Sequence, residues 1–296
     1  MEGEMICTEK KVVITLLISL VIGLSLRIGV STAQNFEALK IPAESLARKF
    51  RRRNPAFAIS VESVLQKLRE KQEIILIDVR NRSEFGKFRI PGSMNIPLFA
   101  IKTKAFLKPK SLVLVNEGYS YSQLEKECEH LRRSGFKAWL LNGGLNYWRQ
   151  KGAPLKGDPF VQKGLNRIPP RVFFAEKDYE DWIVIDISAP KQSQAHSLIP
   201  RSVSLPYLND AEQFISGFKN IMAQSRDNPY LSVLLFSEKG DYYNTIENVV
   251  KKTDCRPVFF LKGGIEAYKR FLGQQALIRQ ARGQSKKTLK GCAGCR

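Results

Sequence analysis

The chain has 296 residues, of which 43% are hydrophobic and 26% are charged, and its formal net charge is +20. This composition excludes a disordered chain and allows two domains of ordinary size. The five cysteines are too sparse for a disulfide scaffold, and the basic runs lack the interleaved aromatic residues of a nucleic-acid-binding surface, so no nucleic-acid partner is expected.

The N-terminal segment is predicted to be a signal peptide or a membrane anchor, residues 1–33. Residues 12–26 form an uncharged apolar run after Lys10 and Lys11. Ser31-Thr32-Ala33 is typical of a cleavage site, but an uncleaved hydrophobic helix through residues 12–26 would hold the protein in a membrane. We therefore expect an exported protein (periplasmic or in the cell envelope in a bacterium) or a membrane-anchored one, with its orientation left open.

A basic linker, residues 34–57, is predicted next. It carries Arg51, Arg52 and Arg53, and a second basic run lies in the C-terminal tail, residues 274–296. Such runs can bind anionic membrane surfaces or nucleic acid. A solvated flank is the interpretation we favour for both.

The first α/β domain is predicted over residues 58–155. Ser60 can cap a helix that begins at Val61. Apolar, β-branched runs predict buried strands at residues 73–79, 112–116 and 136–141, with helical patterns between them. Strands that alternate with helices indicate a parallel sheet with helices on both faces, a doubly wound fold.

Three segments of this domain recur later in the chain, in the same order. Ile77-Asp78-Val79 returns as Ile185-Asp186-Ile187, residues 90–97 return as 199–206, and residues 143–148 return as 263–268. Three ordered matches indicate a tandem duplication. The predicted architecture is therefore two doubly wound α/β domains, 58–155 and 172–273, joined by a linker at 156–171 and preceded by the hydrophobic helix.

The stretch with most chemical content is residues 111–122, a strand that ends in a short loop and leads into a helix. The loop contains one glycine, and Leu124, Cys128 and Leu131 follow at helical spacing. This geometry directs backbone N–H groups at a site above the sheet, which suits an anion or a thiolate. The residue at the strand end is Asn116, and a carboxamide cannot act as a covalent nucleophile.

These motifs resemble the rhodanese family. The resemblance rests on I-D-V-R at residues 77–80, I-P-G-S-M-N-I-P at 90–97 and G-G-L-N-Y-W at 143–148; it is weaker in the second copy, where Ser188 and Arg201 replace the Arg and a Gly. It implies sulfur transfer. In active members a cysteine at the strand end takes a sulfane sulfur from a donor such as thiosulfate, holds it as a persulfide and passes it to a thiophile. Loop N–H groups and a loop arginine stabilise the anionic sulfur.

At the matching positions this chain departs from the family. The first loop comprises Asn116, Glu117, Gly118, Tyr119, Ser120 and Tyr121, with Asn116 at the cysteine position and Tyr121 where an arginine is common. In the second copy the cysteine position is Ser237, or Phe236 if the alignment gap falls elsewhere. Asp78 and Arg80 are expected to tie loops together, as in the family. We expect a catalytically degenerate tandem module that binds a protein or a small anion, with no cofactor and no metal.

The alternative function is a sulfur carrier or thiol-redox protein that uses Cys292 and Cys295. These form a C-x-x-C pair whose basic neighbours would lower the thiol pKa. Cys128 is expected to pack in the core, and Cys255 to lie at the end of the sheet opposite the loops. His196 is the nearest candidate base for a serine nucleophile, whereas His130 is expected on a helix surface.

Overall fold

A computed structural model describes residues 51–189, 198–224, 228, 230–253 and 256–292, with side chains as far as Arg282. The predicted N-terminal helix lies outside these residues, as do His196, Cys255, Cys295 and the side chain of Cys292. In the part of the chain that is described, no helix is long and apolar enough to cross a membrane.

Within the described residues, the first half forms ten strands and α-helices. They are β1 (Ala58–Ile59), α1 (Val61–Arg69), β2 (Ile74–Asp78), α2 (Arg82–Lys87), β3 (Phe88–Arg89), β4 (Met94–Asn95), β5 (Ser111–Val115), α3 (Tyr121–Arg133), β6 (Lys137–Leu141) and α4 (Gly144–Gln150). The Ser60 hydroxyl accepts a hydrogen bond from the backbone N–H of Ser63, which confirms the predicted cap of α1.

The second half has a related but not identical order of elements and ends in a longer helix. Its elements are β7 (Lys156–Gly157), α5 (Pro159–Gln162), β8 (Arg167–Ile168), α6 (Pro170–Glu176), β9 (Trp182–Asp186), β10 (Val203–Ser204), α7 (Ala211–Ala223), β11 (Ser232–Phe236), α8 (Tyr243–Val250), β12 (Val258–Leu261) and α9 (Gly264–Cys292). The range predicted as a linker, 156–171, thus contains three complete elements, and α9 continues through most of the predicted tail because that segment is rich in helix-forming residues.

Two five-stranded sheets carry the fold. The first has the order β1-β6-β5-β2-β4, and the second, taken from its opposite edge, has the equivalent order β8-β12-β11-β9-β10. All pairs within these two sheets are parallel. The predicted α/β fold with parallel sheets is confirmed. Both sheets belong to one compact unit, Ala47–Gln275.

Alternate strand residues place helices on both faces of the first sheet. On one face Leu112 and Leu114 pack in a cluster with Leu124, Cys128 and Leu131 of α3. On the other face Val113 and Val115 pack with residues of α1 and α4: Val61, Val64, Leu145 and Trp148. Because strand side chains alternate between faces, one apolar strand supplies both clusters.

The arginine cluster that precedes β1 docks on the second half. The backbone N–H of Arg51 donates to the carbonyl of Asp178 at 2.9 Å, and its carbonyl accepts from the N–H of Glu180 at 2.9 Å. Arg53 is only 6% exposed. The interpretation of this cluster as a solvated flank is therefore wrong for Arg53, because buried acceptors and aromatic rings surround its guanidinium.

Candidate active-site loops

The first loop, residues 116–121, closes on the side chain of Asn116. This residue follows β5 and is 6% exposed. Its Oδ1 accepts a hydrogen bond from the backbone N–H of Gly118 at 2.8 Å, and its Nδ2 donates to the carbonyl of Tyr119. The carboxamide thus occupies the centre of the loop and uses both of its polar ends there.

Backbone hydrogen bonds from the start of α4 hold this loop in place. The N–H of Leu145 donates to the carbonyl of Asn116 at 2.8 Å, and the N–H of Asn146 donates to the carbonyl of Glu117 at 3.1 Å. The approach is close enough that a Cβ on Gly144 would lie 2.4 Å from the Asn116 oxygen. A glycine is required there both for space and for its φ of +50°.

The second half covers the loop. The Glu176 carboxylate, at the end of α6, accepts hydrogen bonds from the backbone N–H groups of Tyr121 at 3.1 Å and Ser122 at 3.4 Å. The Tyr119 ring meets the ring of Phe259 edge-on, with centroids 6.1 Å apart. A carboxylate of the chain itself therefore occupies the N-terminus of α3, where an anion would otherwise be favoured.

The acidic and phenolic groups of the loop are desolvated. Burial raises the pKa of the Glu117 carboxyl above its usual range, and the nearby Arg80 charge offsets this only in part. Burial, together with the charge of Glu117, raises the pKa of the Tyr119 hydroxyl. The environment of this loop disfavours negative charge.

Tyr121 lies in the core and not at the mouth of an anion site. Its hydroxyl accepts a hydrogen bond from the N–H of Gly143 at 2.6 Å. The guanidinium of Arg53 stacks on its ring, 3.8 Å from the centroid. Burial raises the pKa of Tyr121, with the Arg53 charge opposing the shift. The position at which the resemblance implies a substrate-binding arginine therefore holds a buried ring.

Asp78 and Arg80 form a buried ion pair at the base of the loop. Nη2 of Arg80 lies 2.7 Å from Oδ2 of Asp78 and donates to the carbonyl of Phe88 at 2.7 Å. The Asn95 carboxamide donates to the carbonyls of both residues. The pair joins β2, β3 and β4, which is the structural role that the resemblance implied.

The second loop, residues 237–243, is one residue longer and more open. Phe236 is the last residue of β11 and is fully buried, so Ser237 occupies the position that Asn116 has in the first half. The Ser237 hydroxyl accepts from the N–H of Gly240 at 2.9 Å and donates to the carbonyl of Asp241 at 3.3 Å. Tyr242, at the tip, is 52% exposed. The end of this strand therefore carries a hydroxyl where the first half carries a carboxamide.

The described thiol, Cys128, is remote from this chemistry. It is fully buried in α3, and its Sγ donates to the carbonyl of Ala138 at 3.2 Å. Burial raises the pKa of the thiol to about 11, so the thiolate is scarce at neutral pH. The prediction that Cys128 packs in the core is confirmed. His130 is exposed on α3 beside Glu127, as expected for a helix surface.

Glu176 and Arg53 complete the first loop from outside, and no pattern in the sequence indicates either of them. Glu176 lies 55 positions from Tyr121 along the chain. Local patterns do not indicate which helix N-terminus a distant carboxylate will reach. Three consecutive arginines likewise give no sign of which one is buried.

Comparison with known proteins points to one family. Residues 60–151 match the family model described as a rhodanese-like domain. A sulfurtransferase of Allochromatium vinosum is 28% identical over 98 residues, which cover 33% of this chain and 92% of the relative. A putative sulfurtransferase of Bacillus subtilis is 29% identical over 98 residues, which cover 32% of this chain and 93% of the relative. The crystal structure of a thiosulfate sulfurtransferase from Pseudomonas aeruginosa is 16% identical and aligns with 72% of this chain and 42% of its own, with a TM-score of 0.30.

Proposed function

We propose that this chain, whose residues 60–151 match a rhodanese-like domain, is a degenerate member of the rhodanese family in which neither strand-end loop transfers sulfur. Its role in this proposal is that of a tandem binding module for a protein or a small anion. The proposal rests on the residues at the two positions where the family carries its nucleophile.

The hydrogen bonding of Asn116 is the observation that supports this most directly. A carboxamide has no anion with which to hold a sulfane sulfur. In addition, Oδ1 accepts the Gly118 N–H at 2.8 Å, so a loop amide that could stabilise bound sulfur is already occupied. The Glu176 carboxylate accepts hydrogen bonds from the amides of Tyr121 and Ser122 at the start of α3.

Ser237 supports the same conclusion for the second loop. A serine hydroxyl has a far higher pKa than a thiol and forms no stable persulfide. Its hydroxyl is also committed to the Gly240 N–H and the Asp241 carbonyl. Activation of this serine as a hydrolase nucleophile would need an adjacent base; Tyr243, whose hydroxyl lies 3.3 Å from the Ser237 nitrogen, has a pKa raised by burial and is a poor one.

The location of the module is part of the proposal. The apolar run at residues 12–26 supports export or attachment to a membrane. A fusion of residues 1–57 to a reporter would test it, because a reporter that stays in the soluble cytoplasmic fraction with Met1 intact would contradict both forms of the prediction.

The function is tested by mass spectrometry of the full-length protein after treatment with thiosulfate, together with a thiosulfate:cyanide assay. We expect no gain of a sulfur atom on either loop and negligible turnover. The double variant Cys292→Ser with Cys295→Ser is the control. If wild type gains sulfur and the double variant does not, the C-terminal pair is the carrier and the alternative function is correct. If both gain sulfur, another cysteine is reactive and the binding-module proposal fails.

A further inference from the structure

A cavity of about 330 Å³ lies where α4 of the first half meets α8 and β12 of the second. This volume falls at the small end of the range for ligand pockets, about 300–1,000 Å³. Among the described residues that line it, none belongs to either strand-end loop. The cavity is therefore separate from the sites that the family uses for chemistry.

Positive charge exceeds negative charge around this cavity. The Glu247 carboxylate lies between three cations: its Oε1 is 3.3 Å from Nη2 of Arg149 and 3.3 Å from Nζ of Lys251, and its Oε2 is 3.4 Å from Nη2 of Arg167. Well-formed bonds of this charged type measure about 2.7–2.9 Å. One carboxylate thus holds three cations loosely, and two positive charges are left uncompensated within the group.

The three cations differ in their freedom to move. The guanidinium of Arg167 is fixed, because it lies 4.4 Å from the centroid of the Phe260 ring and donates to Oδ1 of Asn166 at 2.7 Å and of Asn244 at 2.8 Å. By contrast, the side chains of Arg149 and Lys251 are 23% and 54% exposed and line the cavity. Each reaches Glu247 over 3.3 Å, which is longer than a well-formed charged hydrogen bond.

The ionisation of Glu247 follows from the same arrangement. Burial by itself would raise the pKa of this carboxyl, but a hydrogen bond from Asn166 and the charges of Lys251, Arg149 and Arg167 lower it below its usual range. Glu247 is therefore ionised at neutral pH, and the surplus in the group stays at two positive charges. An anion that neutralises it must carry two negative charges.

We propose that this cavity binds a small phosphate-type dianion, held by Arg149 from the first half and Lys251 from the second. The planar guanidinium suits the oxygens of a tetrahedral anion, and the ammonium supplies a second, mobile charge. Val258 and Phe260 form an apolar part of the wall, which could receive the organic part of a phosphate ester. The inference rests on the proposed binding role and names a site and a class of anion for it, but it does not depend on whether the loops transfer sulfur.

The test is isothermal titration calorimetry of the full-length protein at constant ionic strength, with inorganic phosphate in one arm and phenyl phosphate in the other. We expect one site per chain. Lys251→Gln and Arg149→Gln should each weaken binding by about tenfold, as expected for the loss of a charge-assisted hydrogen bond. Lys252→Gln is the matched control, since it removes the same charge from the adjacent exposed residue, which does not line the cavity. Its affinity should equal that of wild type.

The outcomes of the titrations distinguish an organic phosphate, a free anion and the absence of a specific site. Tighter binding of phenyl phosphate than of inorganic phosphate identifies an organic phosphate as the ligand, and equal binding identifies the free anion. No binding of either compound overturns the inference, as does binding that all three variants weaken equally, which would mean nonspecific attraction to a basic protein. A melting curve of each variant confirms that it is folded. None of these results bears on sulfur transfer, which the thiosulfate assay measures separately.

Discussion

Arg53 offers the sharpest test of how the two halves are held together. Its backbone N–H donates to Oδ2 of Asp181 at 2.8 Å, and its Nη1 donates to the carbonyl of Tyr230 at 2.9 Å. The guanidinium also stacks on Tyr121 and lies 5.6 Å from the centroid of the Trp182 ring. The side chain therefore joins the start of the first half to the second sheet. We predict that Arg53→Ala destabilises the protein strongly.

The expected loss of stability follows from the contacts that Arg53→Ala removes. Nε of Arg53 lies 3.9 Å from Oδ2 of Asp181, which makes a loose, buried ion pair. Removal of one partner of a buried ion pair costs about 3–5 kcal/mol, because the other charge stays buried. Asp181 keeps the Arg53 backbone N–H and the Asn228 Nδ2 at 2.6 Å, so the lower end of that range applies. We expect the free energy of unfolding to fall by about 3 kcal/mol, which includes the loss of a cation–π contact.

Urea unfolding, followed by circular dichroism and by tryptophan fluorescence, measures the change. Arg52→Ala is the matched control: its side chain is 84% exposed and pairs with Glu180 at the surface, so we expect no measurable loss of stability. Arg53→Lys should fall between the two, since an ammonium keeps the charge but cannot stack as a planar group. Equal effects of Arg52→Ala and Arg53→Ala would refute the argument that Arg53 holds the halves together.

Three further predictions concern the first loop and its surroundings. Burial raises the pKa of Glu176, so its ionisation costs stability as the pH rises through that pKa. The stability of Glu176→Gln relative to wild type should therefore increase from pH 4 to pH 7 in thermal melts. A difference in melting temperature that does not change with pH would contradict this. Gly144→Ala should destabilise the protein by several kcal/mol in urea unfolding, since its Cβ would lie 2.4 Å from backbone atoms of the loop. Gly152 also has a positive φ, but no atom lies near the position of its Cβ, so Gly152→Ala should reduce the stability less. In the background Cys292→Ser with Cys295→Ser, Asn116→Cys and Ser237→Cys should both react slowly with iodoacetamide, because the residues that they replace are only 6% and 4% exposed; rapid alkylation of either variant in mass-spectrometric time courses would contradict this burial.

Asn116→Cys is also informative about sulfur transfer. The change restores a thiol at the end of β5, but Glu176 still occupies the amides of Tyr121 and Ser122, and Glu117 adds negative charge. We therefore expect little or no sulfurtransferase activity from this variant in the thiosulfate:cyanide assay. Turnover comparable to that of an active sulfurtransferase would show that the loop environment, apart from the missing thiol, is intact.

Much of the core followed from hydropathy along the chain. The runs at β2, β5 and β6 were placed correctly to within two residues at their ends, and the strand that ends before Asn116 was identified with its loop and helix. Short edge strands were harder. β8 has two residues, Arg167–Ile168, and fell within a range predicted as a linker, because two residues show no periodicity and pair only when the sheet edge is present.

The order of residues along the chain is enough to predict the parallel α/β fold, the internal repeat and the presence of Asn116 and Ser237 at the strand ends, since each depends on a local pattern. The burial of Arg53 beside an exposed Arg52, and the capping of α3 by Glu176, follow only from the folded structure. An arginine or a glutamate enters a protein interior only where partners from distant segments meet it. The partners of Arg53 are Asp181 and Tyr230, and those of Glu176 are the amides of α3. They meet only when both halves have folded against each other.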